Sequence, residues 1–162
     1  MTFQLLSPAF WAYKDVETAV DYSAGYEPLW DVEHEDTLDG HTLGDEDYVV
    51  PASMDGKSAF VRMTVALEFV STSGTKLIQL YHKDACAATK NFVYRLAYQA
   101  LSDFHTECNM FCPVVNTGDI IYGYFDPGSD TSHNVPADGG GINMQIIFMD
   151  PIGTDVGPQY TG

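Results

Sequence analysis

The sequence predicts an all-β domain built as an antiparallel β-sandwich, and three observations lead there. From Val61 the apolar residues Val61, Met63, Val65, Leu67 and Phe69 take every second position, with Arg62, Thr64 and Glu68 between them. That period of 2 belongs to a strand with one buried and one wetter face. Short apolar runs then recur along the chain, each stopped by Gly, Pro, Asn or Asp turn signals. No segment sustains a helical period that a strand would not fit as well.

The elements follow in order. Residues 1–8 read as an N-terminal arm ending at Pro8, and residues 9–150 as the β-domain. Ala9 to Tyr13 is a compact aromatic strand. Leu29 to Val32 is a second short strand. Glu33 to Asp47, EHEDTLDGHTLGDED, is acidic and loop-like, with turn signals at Asp39-Gly40 and Gly44-Asp45. Tyr48 to Val50 is a strand stopped by Pro51, and Asp55-Gly56 turns the chain into the long alternating strand. Ser73-Gly74 then breaks the pattern before Leu77 to Tyr81, which reads as a hairpin. In residues 92–104, Phe92, Tyr94, Leu96 and Tyr98 alternate as in a strand, while Val93, Leu96, Ala97, Ala100, Leu101 and Phe104 fit a helix. The Tyr and Val content favours the strand. Asn116 to Asp119 forms a tight turn into a strand from Ile120 to Phe125. A polar loop runs from Asp126 to Gly141, and Ile142 to Met149 is the last strand. Residues 151–162 form a Gly- and Pro-rich C-terminal tail. Roughly eight to ten strands of this kind fit a jelly-roll topology.

Composition excludes several function classes. The 162 residues are 45% hydrophobic and 13% aromatic, enough for one sizeable core. The net charge is −16. Residues 1–56 hold thirteen of the 23 acidic residues and one base, Lys14, so they carry −12 and leave −4 for the rest. Such a surface repels phosphate backbones and anionic membranes, so neither nucleic acid nor membrane is expected as a partner. The N-terminus lacks the basic and apolar blocks of a secretory signal. Assembly in the cytoplasm is therefore expected, or export only as part of something larger. Cys86, Cys108 and Cys112 are too few for a disulfide framework and read as free thiols.

The chemistry-bearing residues are few. There is no G-x-S-x-G elbow and no His-x-His pair for a cupin-type metal, so no catalytic residues are assigned and an enzyme is not expected. His82, Cys86, His105, Cys108 and Cys112 have zinc-compatible side chains. On a strand, however, Cys108 and Cys112 would stand roughly 13 Å apart, too far for one ion. Asp31, Glu33, Glu35, Asp36, Asp39, Asp45 and Asp47 are crowded oxygen ligands and form a weak calcium candidate. Their spacing matches no EF-hand, and a solvated acidic face is the simpler reading. No cofactor is expected. Phe3, Leu5 and Leu6 in the arm are the candidate partner-binding residues.

The order of landmarks resembles the jelly-roll superfamily of complement globular heads and tumour necrosis factors. The landmarks are Ala9-Phe10-Trp11-Ala12, Tyr48-Val49-Val50-Pro51, Gly56 with Phe60 to Phe69, Leu77 to Lys83, Gly118-Asp119 before Ile120, and Gly141 to Phe148. The resemblance implies a homotrimer with aromatics packed near the threefold axis. With no Gly-X-Y run and no heptad shaft in the sequence, the chain is similar to phage capsid decoration (cement) proteins. The expected function is that of a virion structural protein. It would be assembled in the host cytoplasm and bind the major capsid protein or another virion protein as a trimer. The alternative is the receptor- or glycan-binding head of a tail fibre or spike.

Overall fold

The computed structural model of the chain describes residues 9–13, 18–20, 28, 30, 32–69, 75–86, 91–99, 103–126, 133–135 and 141–151. The arm bearing Phe3, Leu5 and Leu6, the tail from 152 onward, and Asp31 lie outside the described residues.

Eleven strands are present among them: β1 (Phe10–Tyr13), β2 (Thr18–Val20), β3 (Val32–Asp36), β4 (Tyr48–Val49), β5 (Ser58–Phe69), β6 (Thr75–Lys83), β7 (Asn91–Gln99), β8 (Asp103–Cys112), β9 (Ile120–Asp126), β10 (His133–Val135) and β11 (Ile142–Met149). A single 3-10 turn, Ala52–Met54, follows Pro51. Seven strands form one antiparallel sheet, in the order β2-β10-β5-β11-β1-β3 with β8 on the other edge of β5. The remaining four form a second sheet, β4-β9-β6-β7.

Four of these pairings are nested along the chain. β1 pairs with β11, β4 with β9, β5 with β8, and β6 with β7. Successive pairs alternate between the two sheets, which is the winding of a jelly roll. The predicted sandwich is therefore observed. The predicted hairpin across Ser73-Gly74 is not. β8 occupies one edge of β5 over Ala59 to Glu68, and β11 the other over Ser58 to Val65. With both edges hydrogen-bonded, β5 has none left for β6, and the chain crosses to the opposite sheet.

The alternation of β5 holds from Val61 to Val65, and the side chains of Leu67 and Phe69 lie outside those described. Ala59, Val61, Met63 and Val65 are fully buried, while Arg62 is exposed. Cys108, Met110 and Cys112 of β8 and Ile142, Met144 and Ile146 of β11 continue that inward face. Ile78 and Leu80 of β6 and Ile121 and Phe125 of β9 meet it from the other sheet. A Cβ on Gly123 of β9 would lie 2.5 Å from Met63 Sδ, so glycine permits the close approach of the two sheets there.

Two further readings change. Residues 32–36 at the start of the acidic stretch are strand β3, paired with β1 rather than looped. The polar segment after Asp126 contains β10, which extends the large sheet beside β5 and β2. Residues 91–99 are strand, as their Tyr and Val content favoured. Among the described residues no helix is long and apolar enough to cross a membrane.

Candidate functional site

The acidic segment is held by buried anchors. Asp36 ends β3 and its carboxylate accepts the amides of Leu38 at 3.4 Å, Gly40 at 3.3 Å and His41 at 2.9 Å. Its role is to close the turn, in which Asp39 takes a left-handed φ of 55° that Asp tolerates. The His41 ring is fully enclosed. Its Nδ1 meets Glu33 Oε1, its Nε2 lies 3.1 Å from the Asp45 carbonyl oxygen, and its face packs on Phe10 with centroids 5.1 Å apart. Buried Trp30 grips the far side of the loop. Its backbone N–H donates to the Asp45 carbonyl at 3.0 Å, its Nε1 donates to the Glu46 carbonyl at 3.2 Å, and its own carbonyl accepts the Gly44 N–H at 2.8 Å.

Between these anchors lies a cavity of about 300 Å³ lined by Gly40, Thr42, Asp45, Glu46, Asp47 and Val49. Exposed Leu43 and Val49 add apolar surface to the same loop. Its wall is anionic, so it suits cationic groups. The calcium candidates are not brought together as a coordination sphere. Glu33 is committed to His41 and Asp36 to three amides. Glu35 stands opposite Trp11 in the β1–β3 ladder, and Asp39 projects from the turn. Asp45 and Asp47 line the cavity.

Among the described residues, three ligand-type side chains converge at one place: His82, Asp84 and Asp119, with one ligand atom from each within 4.8 Å of the others. Asp119 sits at the tight turn before β9 and is buried. Its Oδ1 accepts the Ala85 amide at 3.0 Å. Its Oδ2 accepts the Asn116 amide at 2.8 Å and faces His82 Nε2 at 2.8 Å. Burial pushes this carboxyl up, but the hydrogen bonds from Asn116, His82 and Ala85 and the His82 charge outweigh it. The net result is a pKa below the ordinary Asp value. The cluster escaped the sequence reading because His82 and Asp119 are 37 residues apart in the chain. The local signal, Gly118-Asp119 before a strand, was legible only as a turn. Gly118 does take the left-handed φ of 82° that this turn requires.

The zinc-compatible cysteines are elsewhere. Cys108 and Cys112 alternate inward on β8 and belong to the core. Burial pushes the Cys108 thiol up to about 12. Burial, with the charge of Asp119, pushes Cys112 up to about 11. Both are neutral packing groups rather than ligands. Cys86 is exposed.

The outer face of the large sheet carries a row of apolar side chains. Phe60 lies opposite Phe111 on one side and Ile147 on the other. Each is flanked in its strand by inward-facing core residues, so all three point away from the core. Phe111 is 41% exposed and Val114, just beyond β8, is 50% exposed. One step along the sheet the face turns polar, where Arg62 pairs with Glu107 at 2.5 Å.

No protein-family model matches the sequence, and no curated protein matches it. Solved structures do match. Murine APRIL at pH 8.0 is similar, with 13% identity, a TM-score of 0.58, and coverage of 86% of this chain and 97% of that one. Murine APRIL at pH 5.0 gives 12% identity, a TM-score of 0.59 and the same coverages. Eiger TNF from S. frugiperda gives 10% identity, a TM-score of 0.55, and coverage of 86% and 90%. At such identities the likeness is one of fold. The nested pairing of two antiparallel sheets gives the chain a jelly-roll β-sandwich fold similar to that of these structures.

Proposed function

We propose that this chain is a virion structural protein, a phage capsid decoration protein that binds the outer capsid surface as a homotrimer. The observation that carries the reading is the outward apolar row Phe111-Phe60-Ile147. A cross-strand row of large apolar side chains on an outer sheet face favours burial against another protein surface. In a closed threefold assembly, neighbouring copies supply that surface without open polymerisation. The acidic loop between Glu33 and Asp47 then faces outward, where exposed charges more than about 8–10 Å apart are largely screened at physiological salt. Attachment to a repeating protein lattice by protein contacts agrees with an acidic chain that repels nucleic acid.

A second reading, a receptor- or glycan-binding head of a tail fibre or spike, draws on one feature of the smaller sheet. The Tyr81 and Tyr122 rings stack at 4.9 Å on its outer face, with Tyr124 edge-on at 6.2 Å. Tyr122 is buried, so it backs the part-exposed Tyr81 and Tyr124, whose rings are the ones able to meet a sugar.

Two measurements test the proposal. Sedimentation at micromolar concentration is expected to give a trimer that Phe60→Asp with Phe111→Asp dissociates without loss of β-structure; a clean monomer removes the trimer. Quantifying the chain in purified particles is expected to place it on heads at a copy number near that of the major capsid protein. A few copies, confined to tailed particles, would favour the second reading, and absence from particles overturns both.

A further inference from the structure

We propose that His82, Asp84 and Asp119 form a binding site for one divalent transition-metal ion of the zinc class. The three residues come from the end of β6, the turn after it, and the turn before β9. The ligand atoms are already grouped within 4.8 Å of one another, and His82 Nε2 is 2.8 Å from Asp119 Oδ2. Two ligands bound at 2.0–2.2 Å in a tetrahedral sphere stand about 3.3–3.6 Å apart. His82 Nε2 and Asp119 Oδ2 therefore open by roughly 0.5–0.8 Å to admit the ion, and exposed Asp84 closes in by at most about 1.5 Å.

The lone pairs favour this exchange. A carboxylate has about four acceptor positions. The Ala85 amide takes one on Oδ1 and the Asn116 amide takes one on Oδ2, which fixes the plane of the Asp119 group. The remaining position on Oδ2 is directed at His82 Nε2. A metal ion entering between them displaces the proton on Nε2. From a doubly protonated ring that proton leaves to water; in a singly protonated ring it is replaced by one taken up at Nδ1 from water. A neutral imidazole and the Asp119 lone pair then face the ion. One neutral imidazole and two carboxylates balance a charge of +2. Asp84 is exposed, so the cluster lies at the surface, where water can reach it.

The donor set selects the ion. Imidazole with carboxylate suits zinc, cobalt and nickel. Calcium takes six to eight oxygens, and three side chains, one of them a histidine, do not supply them. The exposed thiol of Cys86, in the segment that follows Asp84, is the competing soft ligand that the test must separate. The inference stands apart from any role in a virion, since the readout uses the isolated chain.

The experiment is calorimetric titration of the full chain with zinc chloride. Asp119→Asn is unsuitable, because it would also open the turn. Asp84→Asn leaves an exposed position, and His82→Asn serves as the second variant, with circular dichroism as a check on folding. One zinc per chain is expected, weakened roughly tenfold or more by each substitution, unchanged by Cys86→Ser, and not displaced by excess calcium. Absence of stoichiometric zinc binding overturns the proposal. So does binding that survives both Asp84→Asn and His82→Asn, or that disappears with Cys86→Ser alone.

Discussion

Glu33 Oε1 meets His41 Nδ1 inside the acidic segment, while the other ring nitrogen of His41 faces the Asp45 carbonyl oxygen. Both ring nitrogens thus face acceptors, and satisfying both needs a second proton on the ring or one on Glu33. From 31 to 47 the chain has eight acidic residues and no Lys or Arg. His41, one of its two histidines, is the enclosed one, so the only buried side chain of this segment able to carry positive charge sits at its centre. Its removal should loosen the acidic loop. His41→Phe keeps the contact with Phe10 but leaves Glu33 without this partner, and a loss of about 1–3 kcal/mol is expected. His41→Gln, which retains a donor, should lose less. Urea unfolding checks both, and equal stability of wild type and His41→Phe would show that the His41–Glu33 contact does not hold the loop.

Gly40 is fixed by sterics. A Cβ there would lie 2.6 Å from both Cε2 and the hydroxyl of Tyr48, a rigid ring that is fully buried. Tyr48 has no room to retreat, because Phe10 packs on it at 4.9 Å. Gly40→Ala is expected to destabilise by about 1–3 kcal/mol through overpacking, whereas Gly44→Ala meets no atom and suffers only from its left-handed φ of 92°. A thermal melt of the two variants should rank Gly40→Ala the lower.

The two faces of β5 predict opposite tolerance. Val65 is fully buried and Thr64 is half-buried on the outer face. Val65→Asp places a carboxylate in the core without a partner and should abolish soluble expression. Thr64→Asp should yield folded protein. Comparable yields from both would contradict the register of the strand.

Asp119 makes stability sensitive to acid. Its folded pKa lies below the unfolded value, so its contribution is present above the unfolded pKa near 3.9 and is lost as pH falls through the folded one. Asp119→Asn loosens the turn and so starts from a lower stability, but it removes that pH dependence. Chelator-treated wild-type protein should therefore lose melting temperature more steeply than the variant on acidification below about pH 4. Parallel curves would mean that the Asn116 and Ala85 contacts do not discriminate charge.

The thiols respond in the opposite range. Cys108 and Cys112 have folded pKa values raised to about 12 and about 11 by burial, so their contribution is full below the unfolded pKa near 8.5 and falls as pH rises above it. In the native chain at neutral pH, a thiol reagent should modify Cys86 promptly and the other two only on unfolding. Rapid labelling of all three would show that β8 is not packed as described.

Much of the architecture was legible in the residues themselves. The alternation from Val61 to Val65, the turn at Asn116 to Asp119 and the span Ile142 to Met149 depend on side-chain period and turn chemistry, which act over a few residues. Strand pairing was not legible, because hydrogen-bonding partners are chosen between segments far apart in sequence. β5 offers the same apolar stripe whether it pairs with β6 or faces it across the core. The same limit hid β3, whose charged sequence VEHED is held as strand by its ladder to β1 and by the His41 and Asp36 contacts that follow.

The candidate site divides along the same line. Composition by itself determined the acidic character of the loop. Only the tertiary structure decided which carboxylates are committed: Asp36 to three amides, Glu33 to an enclosed histidine, and Asp119 to His82 across 37 residues of chain. Likewise, Cys108 and Cys112 carry ligand-type sulfur in the sequence, but the pleat of β8 turns both into the core, while the crossing of β6 brings His82 beside Asp84 and Asp119. The physical reason is that residue type sets what a side chain can do, while the folded backbone sets which groups lie within reach of it.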